Sequence, residues 1–114
     1  MLIYKLMGAD ECARARAEGV FRGSPVDVAD GYLHFSSGEQ VVETAARHFA
    51  GRRGLVLLTV DADRLGEALR WEPSRNGDLF PHLYTSMPWE AVVAETALPE
   101  DVDLEQAVRS ALAA

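Results

Sequence analysis

Hydrophobic and polar residues alternate most clearly in the segment Asp30–Ser37, which reads DGYLHFSS. Successive side chains of a strand point to opposite faces, so Leu33 and Phe35 share one apolar face. The opposite face is polar and carries Tyr32, His34 and Ser36. Because a hydrophobic core needs only the apolar face, the polar face predicts the floor of a pocket.

Five other segments have strand-like patterns, namely 2–7, 55–60, 68–72, 79–84 and 91–96. The run Leu55–Val60 is apolar without a break, which predicts a central strand buried on both faces. Pro73 marks the end of the third segment. Pro81 lies inside the fourth, and it indicates an edge strand or a bulge because proline has no N–H to donate.

Helical spacing of apolar residues predicts three helices, at about 10–18, about 40–49 and about 99–113. Ser37 and Gln40 fit a capping box at the start of the second helix. The segment Phe21–Asp30 is rich in glycine, proline and aspartate, which predicts a loop. The links between the later strands are too short for crossover helices. The pattern therefore predicts one α+β domain over residues 1–114, with mainly antiparallel strands.

Composition narrows the class of partner. The chain has 114 residues, a formal net charge of −7 and a pI of about 4.8. Nucleic-acid-binding proteins usually carry a basic patch, so no nucleic-acid partner is expected. No apolar run is as long as a membrane span, so no membrane partner is expected either.

The cysteine and histidine residues give two further expectations. Cys12 is the only cysteine, which leaves no partner for an internal disulfide and favours a reducing, cytoplasmic location. The spacings of His34, His48 and His82 match no compact ligand motif, so no metal is expected.

Two later segments repeat the arrangement of a polar face beside an apolar one. Arg70 and Glu72 share a face of the segment 68–72, and His82 and Tyr84 share a face of the segment 79–84. Pooled with the first polar face, they offer an acid or base, imidazoles, a cation and hydroxyls. Such a set can orient a sugar or phosphate and stabilise developing charge.

Each of these residues also has a structural interpretation. Glu72 can pair with Arg70 or Arg75 on a solvated face. A histidine on a strand is often a structural residue, and tyrosines often pack with only the hydroxyl exposed. The residue types alone leave both interpretations open.

The segments DGYLHFSS, ALRWEPS and LFPHLY, following an IYKL strand, resemble the bacterial family catalogued as domain of unknown function 952. The resemblance covers about residues 3–98, and the tail at about 99–113 is expected to be particular to this chain. It implies an ADP-ribosyltransferase-like fold. Proteins of that fold bind NAD in a cleft between two small, mostly antiparallel sheets, with short helices packed around them.

What this resemblance implies about function is ligand binding of the NAD or ADP-ribose type, with glycosyl transfer or hydrolysis at the nicotinamide ribose. NAD would be a substrate, and no resident cofactor is identified. The implied catalytic residues are His34, Ser36 and Glu72, of which Glu72 would stabilise the oxocarbenium ion. The implied ligand-binding residues are Tyr4, Lys5, Arg70, His82 and Tyr84.

Two other functions stay open at this stage. One is a non-catalytic nucleotide-binding module on the same fold. The other is a protein-interaction module, in which the apolar stripe of the C-terminal helix forms an interface. Whether the chain is an enzyme is undecided by its sequence.

Overall fold

A computed structural model describes residues 1–113 and has an α+β fold whose strand pairs are all antiparallel. The strands are β1 (Leu2–Gly8), β2 (Val20–Phe21), β3 (Leu33–His34), β4 (Leu55–Asp61), β5 (Leu69–Pro73), β6 (Leu79–Leu83), β7 (Met87–Pro88) and β8 (Val92–Ala97). The helices are α1 (Ala9–Glu18), α2 (Pro25–Asp30), α3 (Val41–His48) and α4 (Leu104–Ala113). Short 3₁₀ turns occupy 62–64, 66–68, 75–77 and 89–91.

The first sheet has the order β1-β4-β8, and its central strand β4 is buried on both faces. On one face, Leu55 and Leu57 pack with residues of α3 and α4. On the other face, Val56, Leu58 and Val60 join the larger core that includes α1. The alternation of these residues confirms the prediction of a central strand at 55–60.

The second sheet has the order β3-β6-β5 and meets the first at one point. Tyr4 and Ser36 exchange two backbone hydrogen bonds, of 2.8 and 2.9 Å. A separate two-stranded ladder, β2-β7, was not predicted. Beside this bridge, side chains from both sheets border one space.

Pro81 lies in the central strand of the second sheet, so the expectation of an edge strand or bulge is wrong. Its carbonyl accepts from Phe35 N at 3.0 Å, on the β3 side. In an antiparallel ladder, both polar groups of a residue face the same neighbour, so the missing N–H also faces β3. We infer that this missing donor shortens β3, which has two residues where the alternation predicted a longer strand.

The segment 21–30 contains α2, so the predicted loop is corrected. Ser24 caps this helix, Pro25 begins it, and the Asp27 carboxylate accepts from Ser24 N at 2.9 Å. A capping residue followed by proline and an acidic third position is a recognised helix start, so the signal was present in the sequence.

The other predicted elements agree closely with the structure. The five predicted strands lie within one residue of the observed bounds. The Gln40 side chain accepts from Ser37 N at 3.0 Å, as a capping box requires, but the Ser37 carbonyl accepts from Gln40 N. The last helix is an exception: it begins at Leu104 and not at about 99, because Asp103 caps it by accepting from Gln106 N at 2.9 Å. Among the described residues, every helix is too short or too polar to cross a bilayer.

The apolar stripe of α4 is buried within the protein. Ala107 and Val108 are 1% and 0% exposed, and they pack with Val41 and Ala45 of α3. This packing argues against the interpretation of the stripe as a free interface.

Candidate functional site

A cavity of about 730 Å³ lies between the two sheets, beside the Tyr4–Ser36 bridge. Its walls come from β1, α2, β3, α3, the turn at 74–75 and two residues of β6. This volume is within the range of small-molecule sites. The strand pairing supplies one wall, because His34 and Arg70 both lie opposite His82 in the ladder. The three predicted polar faces therefore share one face of the second sheet.

Asp27 organises the α2 side of the cavity. This carboxylate is 1% exposed and accepts from Ser24 N and Ser24 Oγ, at 2.9 and 3.0 Å. It also accepts from His34 N at 3.1 Å, from His34 Nδ1 at 2.6 Å and from Lys5 Nζ at 3.1 Å. Buried carboxylates are stable only when their lone pairs are satisfied, and Asp27 meets that requirement.

The ion pair between Asp27 and Lys5 is buried, and burial acts on both groups. Burial by itself would raise the pKa of Asp27, but the hydrogen bond from His34 and the charge of Lys5 outweigh it. The pKa of Asp27 therefore lies well below its usual range. Burial lowers the pKa of Lys5, and the charge of Asp27 opposes that effect. Lys5 Nζ also donates to the His34 carbonyl at 2.7 Å, so the ammonium group already has hydrogen-bond partners within the protein.

His34 lies between two carboxylates. Its Nδ1 is 2.6 Å from Asp27 Oδ1 and its Nε2 is 2.8 Å from Asp30 Oδ2. A neutral imidazole has one N–H, so it can donate to only one of them. Asp30 ends α2 and borders the cavity, so His34 links α2 to the second sheet.

His82 is buried beneath the aromatic ring of Tyr32, with the ring centroids 4.1 Å apart. Its Nδ1 is 2.8 Å from Glu72 Oε1, and the same oxygen accepts from Tyr84 OH at 2.7 Å. Hydrogen bonds from Tyr84 and then His82 lower the pKa of Glu72. Arg70 stacks over the Tyr84 ring at 5.1 Å. His82 borders the cavity, whereas Glu72, on the edge strand β5, does not.

A chain of polar contacts crosses the cavity wall near Ser36. Ser36 Oγ is 2.9 Å from Thr44 Oγ1, which accepts from Arg75 Nη2 at 3.1 Å. The Arg75 guanidinium also stacks over Phe80 at 4.8 Å and lies 3.5 Å from Glu43. These contacts hold a cation, 13% exposed, against the cavity.

A second arginine borders the cavity near the far end of β1. The Arg52 guanidinium stacks over Phe49 at 5.0 Å and lies beside Gly8. Within residues 1–113 it makes no ion pair. Gly8 is four residues from Tyr4, so Arg52 lies about 13 Å along β1 from the Tyr4–Ser36 bridge. His48, the last residue of α3, borders the cavity too.

Five of the eight predicted site residues border the cavity: Tyr4, Lys5, His34, Ser36 and His82. The other three, Arg70, Glu72 and Tyr84, form a cluster of hydrogen bonds and stacking contacts next to His82, outside the cavity lining. Sequence reasoning missed the lining residues Asp27, Asp30, Thr44, Arg52 and Arg75. The capping pattern at Ser24 could have indicated a structural Asp27, but no local pattern pairs it with Lys5. Within residues 1–113, no three histidine, cysteine or acidic side chains converge as a metal site would require.

Gly23 shapes the approach to α2. Its φ is +118°, and a Cβ there would lie 3.1 Å from both Asp27 Cβ and Leu33 Cδ2. We expect Gly23→Ala to lower the free energy of unfolding by about 2–3 kcal/mol, because it combines backbone strain with a clash. Gly19→Ala is the matched control, since Gly19 has φ +81° and open space around it. Urea unfolding should show a loss of only about 1 kcal/mol there; equal losses in both variants would contradict the clash.

The fold and cavity define a class of protein: a small α+β domain whose two three-stranded antiparallel sheets border a partly open cavity with both polar and apolar lining residues. The family described as "Protein of unknown function (DUF952)" matches residues 6–95. This match spans most of the chain, and the protein belongs to that family.

The chain is also similar to solved structures of protein CC0527 from Caulobacter crescentus. Its X-ray structure is 46% identical, with a TM-score of 0.92 and full coverage of both chains. The solution NMR structure is 50% identical over 88% of each chain, with a TM-score of 0.77. No curated protein matches. Because the X-ray match includes the C-terminal helix, the expectation that the tail is particular to this chain is wrong.

Proposed function

We propose that the cavity binds a nucleotide of the ADP-ribose type, with NAD as the parent ligand, on a fold related to the ADP-ribosyltransferases. The observation that supports this proposal most is the mixed chemistry of one cavity of about 730 Å³. Imidazoles and hydroxyls suit ribose hydroxyl groups, and arginines suit phosphates. Two small antiparallel sheets bordering the cavity agree with the fold that the family resemblance implies.

Arg52 and Arg75 are the cations proposed to meet the phosphates. Lys5 is less suited, because Asp27 and the His34 carbonyl already occupy its ammonium group. Arg70 is also less suited, because it stacks over Tyr84 outside the cavity lining. Arg52 makes no ion pair among residues 1–113, so phosphate binding there would break no existing one.

We place ligand binding ahead of turnover. Glu72 was expected to stabilise an oxocarbenium ion. It contacts His82 but does not itself border the cavity. Glycosyl transfer or hydrolysis needs a group that stabilises positive charge at the reacting ribose. The carboxylate of Asp30 borders the cavity but lies 2.8 Å from His34 Nε2.

The test is calorimetric titration with ADP-ribose, NAD and nicotinamide. We expect heat and a raised melting temperature with ADP-ribose and NAD. Arg52→Gln should weaken ADP-ribose binding about tenfold or more, because a charge-assisted hydrogen bond contributes about 1.5–3 kcal/mol. Arg47→Gln is the matched control, since Arg47 pairs with Glu43 on α3 and does not border the cavity.

Two outcomes would count against the proposal. Absence of both heat and a melting shift at millimolar ADP-ribose and NAD would contradict nucleotide binding. Equal weakening by Arg52→Gln and Arg47→Gln would contradict the phosphate position. Release of nicotinamide from NAD, followed chromatographically, would show turnover and overturn the order of the two functions.

A further inference from the structure

The hydrogen bonds around His82 determine which atom it offers to the cavity. Glu72 Oε1 is 2.8 Å from His82 Nδ1 and accepts a second hydrogen bond, from Tyr84 OH. Hydrogen bonding from Tyr84 and His82 lowers the pKa of Glu72 further below neutrality, so at neutral pH this carboxylate is ionised and has no proton to donate. Nδ1 must therefore carry the proton of the neutral ring, which leaves Nε2 with a free lone pair.

The orientation of the ring places this lone pair away from Glu72. The two ring nitrogens point in nearly opposite directions, and His82 borders the cavity whereas Glu72 does not. Within residues 1–113 the side-chain hydrogen bond of His82 is made through Nδ1 and leaves Nε2 without a partner. No fully buried side-chain nitrogen or oxygen there lacks a partner, so Nε2 is accessible to a ligand. The Tyr32 ring, 4.1 Å away between centroids, restricts rotation of the imidazole. A flipped ring would also place a carbon against Glu72 Oε1 and lose that hydrogen bond.

We propose that His82 presents Nε2 to the cavity as a hydrogen-bond acceptor for a hydroxyl of the bound ligand. Glu72 acts through His82 as a positioning residue. The ligand part of this inference rests on the proposed function and specifies it further, because an acceptor at this point selects a ribose hydroxyl over a phosphate oxygen. An anionic oxygen would face a lone pair there and gain no hydrogen bond.

The neighbouring groups support an acceptor at this position. His34 lies 5.8 Å from His82 between ring centroids, and both of its nitrogens already face carboxylates. The phenol of Tyr84 is committed to Glu72. His82 Nε2 is thus the imidazole nitrogen on this wall that has no partner among the described residues.

The first test measures the tautomer in the ligand-free protein. Long-range ¹H–¹⁵N spectra at neutral pH should show His82 protonated on Nδ1, with its signals assigned by their loss in His82→Gln. Glu72→Gln keeps an acceptor oxygen and should preserve this tautomer. Glu72→Ala removes it and should shift the population towards Nε2–H. A wild-type His82 protonated on Nε2, or no change in Glu72→Ala, would overturn the proposal.

The second test measures selectivity for a hydroxyl, by calorimetry with ADP-ribose and analogues that each lack one ribose hydroxyl. The wild type should bind one analogue about tenfold more weakly than ADP-ribose, and His82→Phe should lose that difference. Glu72→Ala should reduce it, and Glu72→Gln should restore it. A difference that persists in His82→Phe would overturn the role of Nε2. If ADP-ribose does not bind but His82 is protonated on Nδ1, the proposed function fails. The inference that Glu72 fixes the tautomer of His82, with Nε2 as the acceptor, still stands.

Discussion

Asp27→Asn is expected to lower the free energy of unfolding by about 3–5 kcal/mol, because removing one partner of a buried ion pair leaves the other uncompensated. Asparagine has nearly the same shape as aspartate, so the effect isolates charge from packing. Lys5 Nζ would remain buried beside a neutral amide, and the interactions of Asp27 with Ser24 and His34 would weaken. Since small domains have total stabilities of about 5–15 kcal/mol, this is a large share.

Urea unfolding measures this loss, and Asp30→Asn is the matched control. Asp30 also lies beside His34, with Oδ2 2.8 Å from Nε2, but its side chain is 46% exposed. An exposed pair contributes about 0–1 kcal/mol, so the control should change little. Similar losses in the two variants would contradict the central role of Asp27.

Asp27 is also expected to affect how the free energy of unfolding depends on pH. The folded pKa of Asp27 lies below the unfolded value of about 3.9, so its ionised form stabilises the protein above that pH. This contribution decreases as pH falls below about 4 towards the folded pKa. Asp27→Asn lacks the group, so its free energy of unfolding should fall less steeply over this range. A slope equal to that of the wild type would exclude Asp27 as a source of acid sensitivity.

The polar wall could be predicted largely from local alternation. Tyr32, His34, Arg70 and His82 were each assigned to a polar face by the period of two along a strand. The antiparallel register then aligns these faces on one sheet. Alternation cannot reveal how far along that face the cavity extends, which is why Glu72 was expected at the ligand but lies beyond His82, on the edge strand β5 and outside the cavity lining.

The other wall could not be predicted, because it depends on contacts between distant segments. Lys5 and Asp27 are 22 residues apart, and neither stands in a pattern that identifies the other. Lys5 was therefore expected only as a ligand-binding residue, whereas the structure pairs it with Asp27. Arg52 and Arg75 follow α3 and β5 respectively, in connecting segments without periodic patterns. Only the tertiary fold brings them to the cavity.

Val108→Asp is expected to lower the free energy of unfolding by about 3 kcal/mol or more, because Val108 is 0% exposed in α4. The new carboxylate would lie among the apolar residues Leu6, Leu55 and Leu57 of the first sheet, without a cationic partner. Val93→Asp is the matched control on β8, where the side chain is 49% exposed, and should cost about 1 kcal/mol or less.

The same variant decides what the C-terminal helix does. If the apolar stripe of α4 packs on its own core, Val108→Asp should broaden or abolish the urea transition, whatever the oligomeric state. Val108→Ala keeps the experiment quantitative if the aspartate variant does not fold, since two lost methyl groups should cost about 2 kcal/mol. If α4 is instead an interface between copies, Val108→Asp would keep the wild-type free energy of unfolding and change only the mass in light scattering. That result would contradict the packing of Ala107 and Val108 against α3.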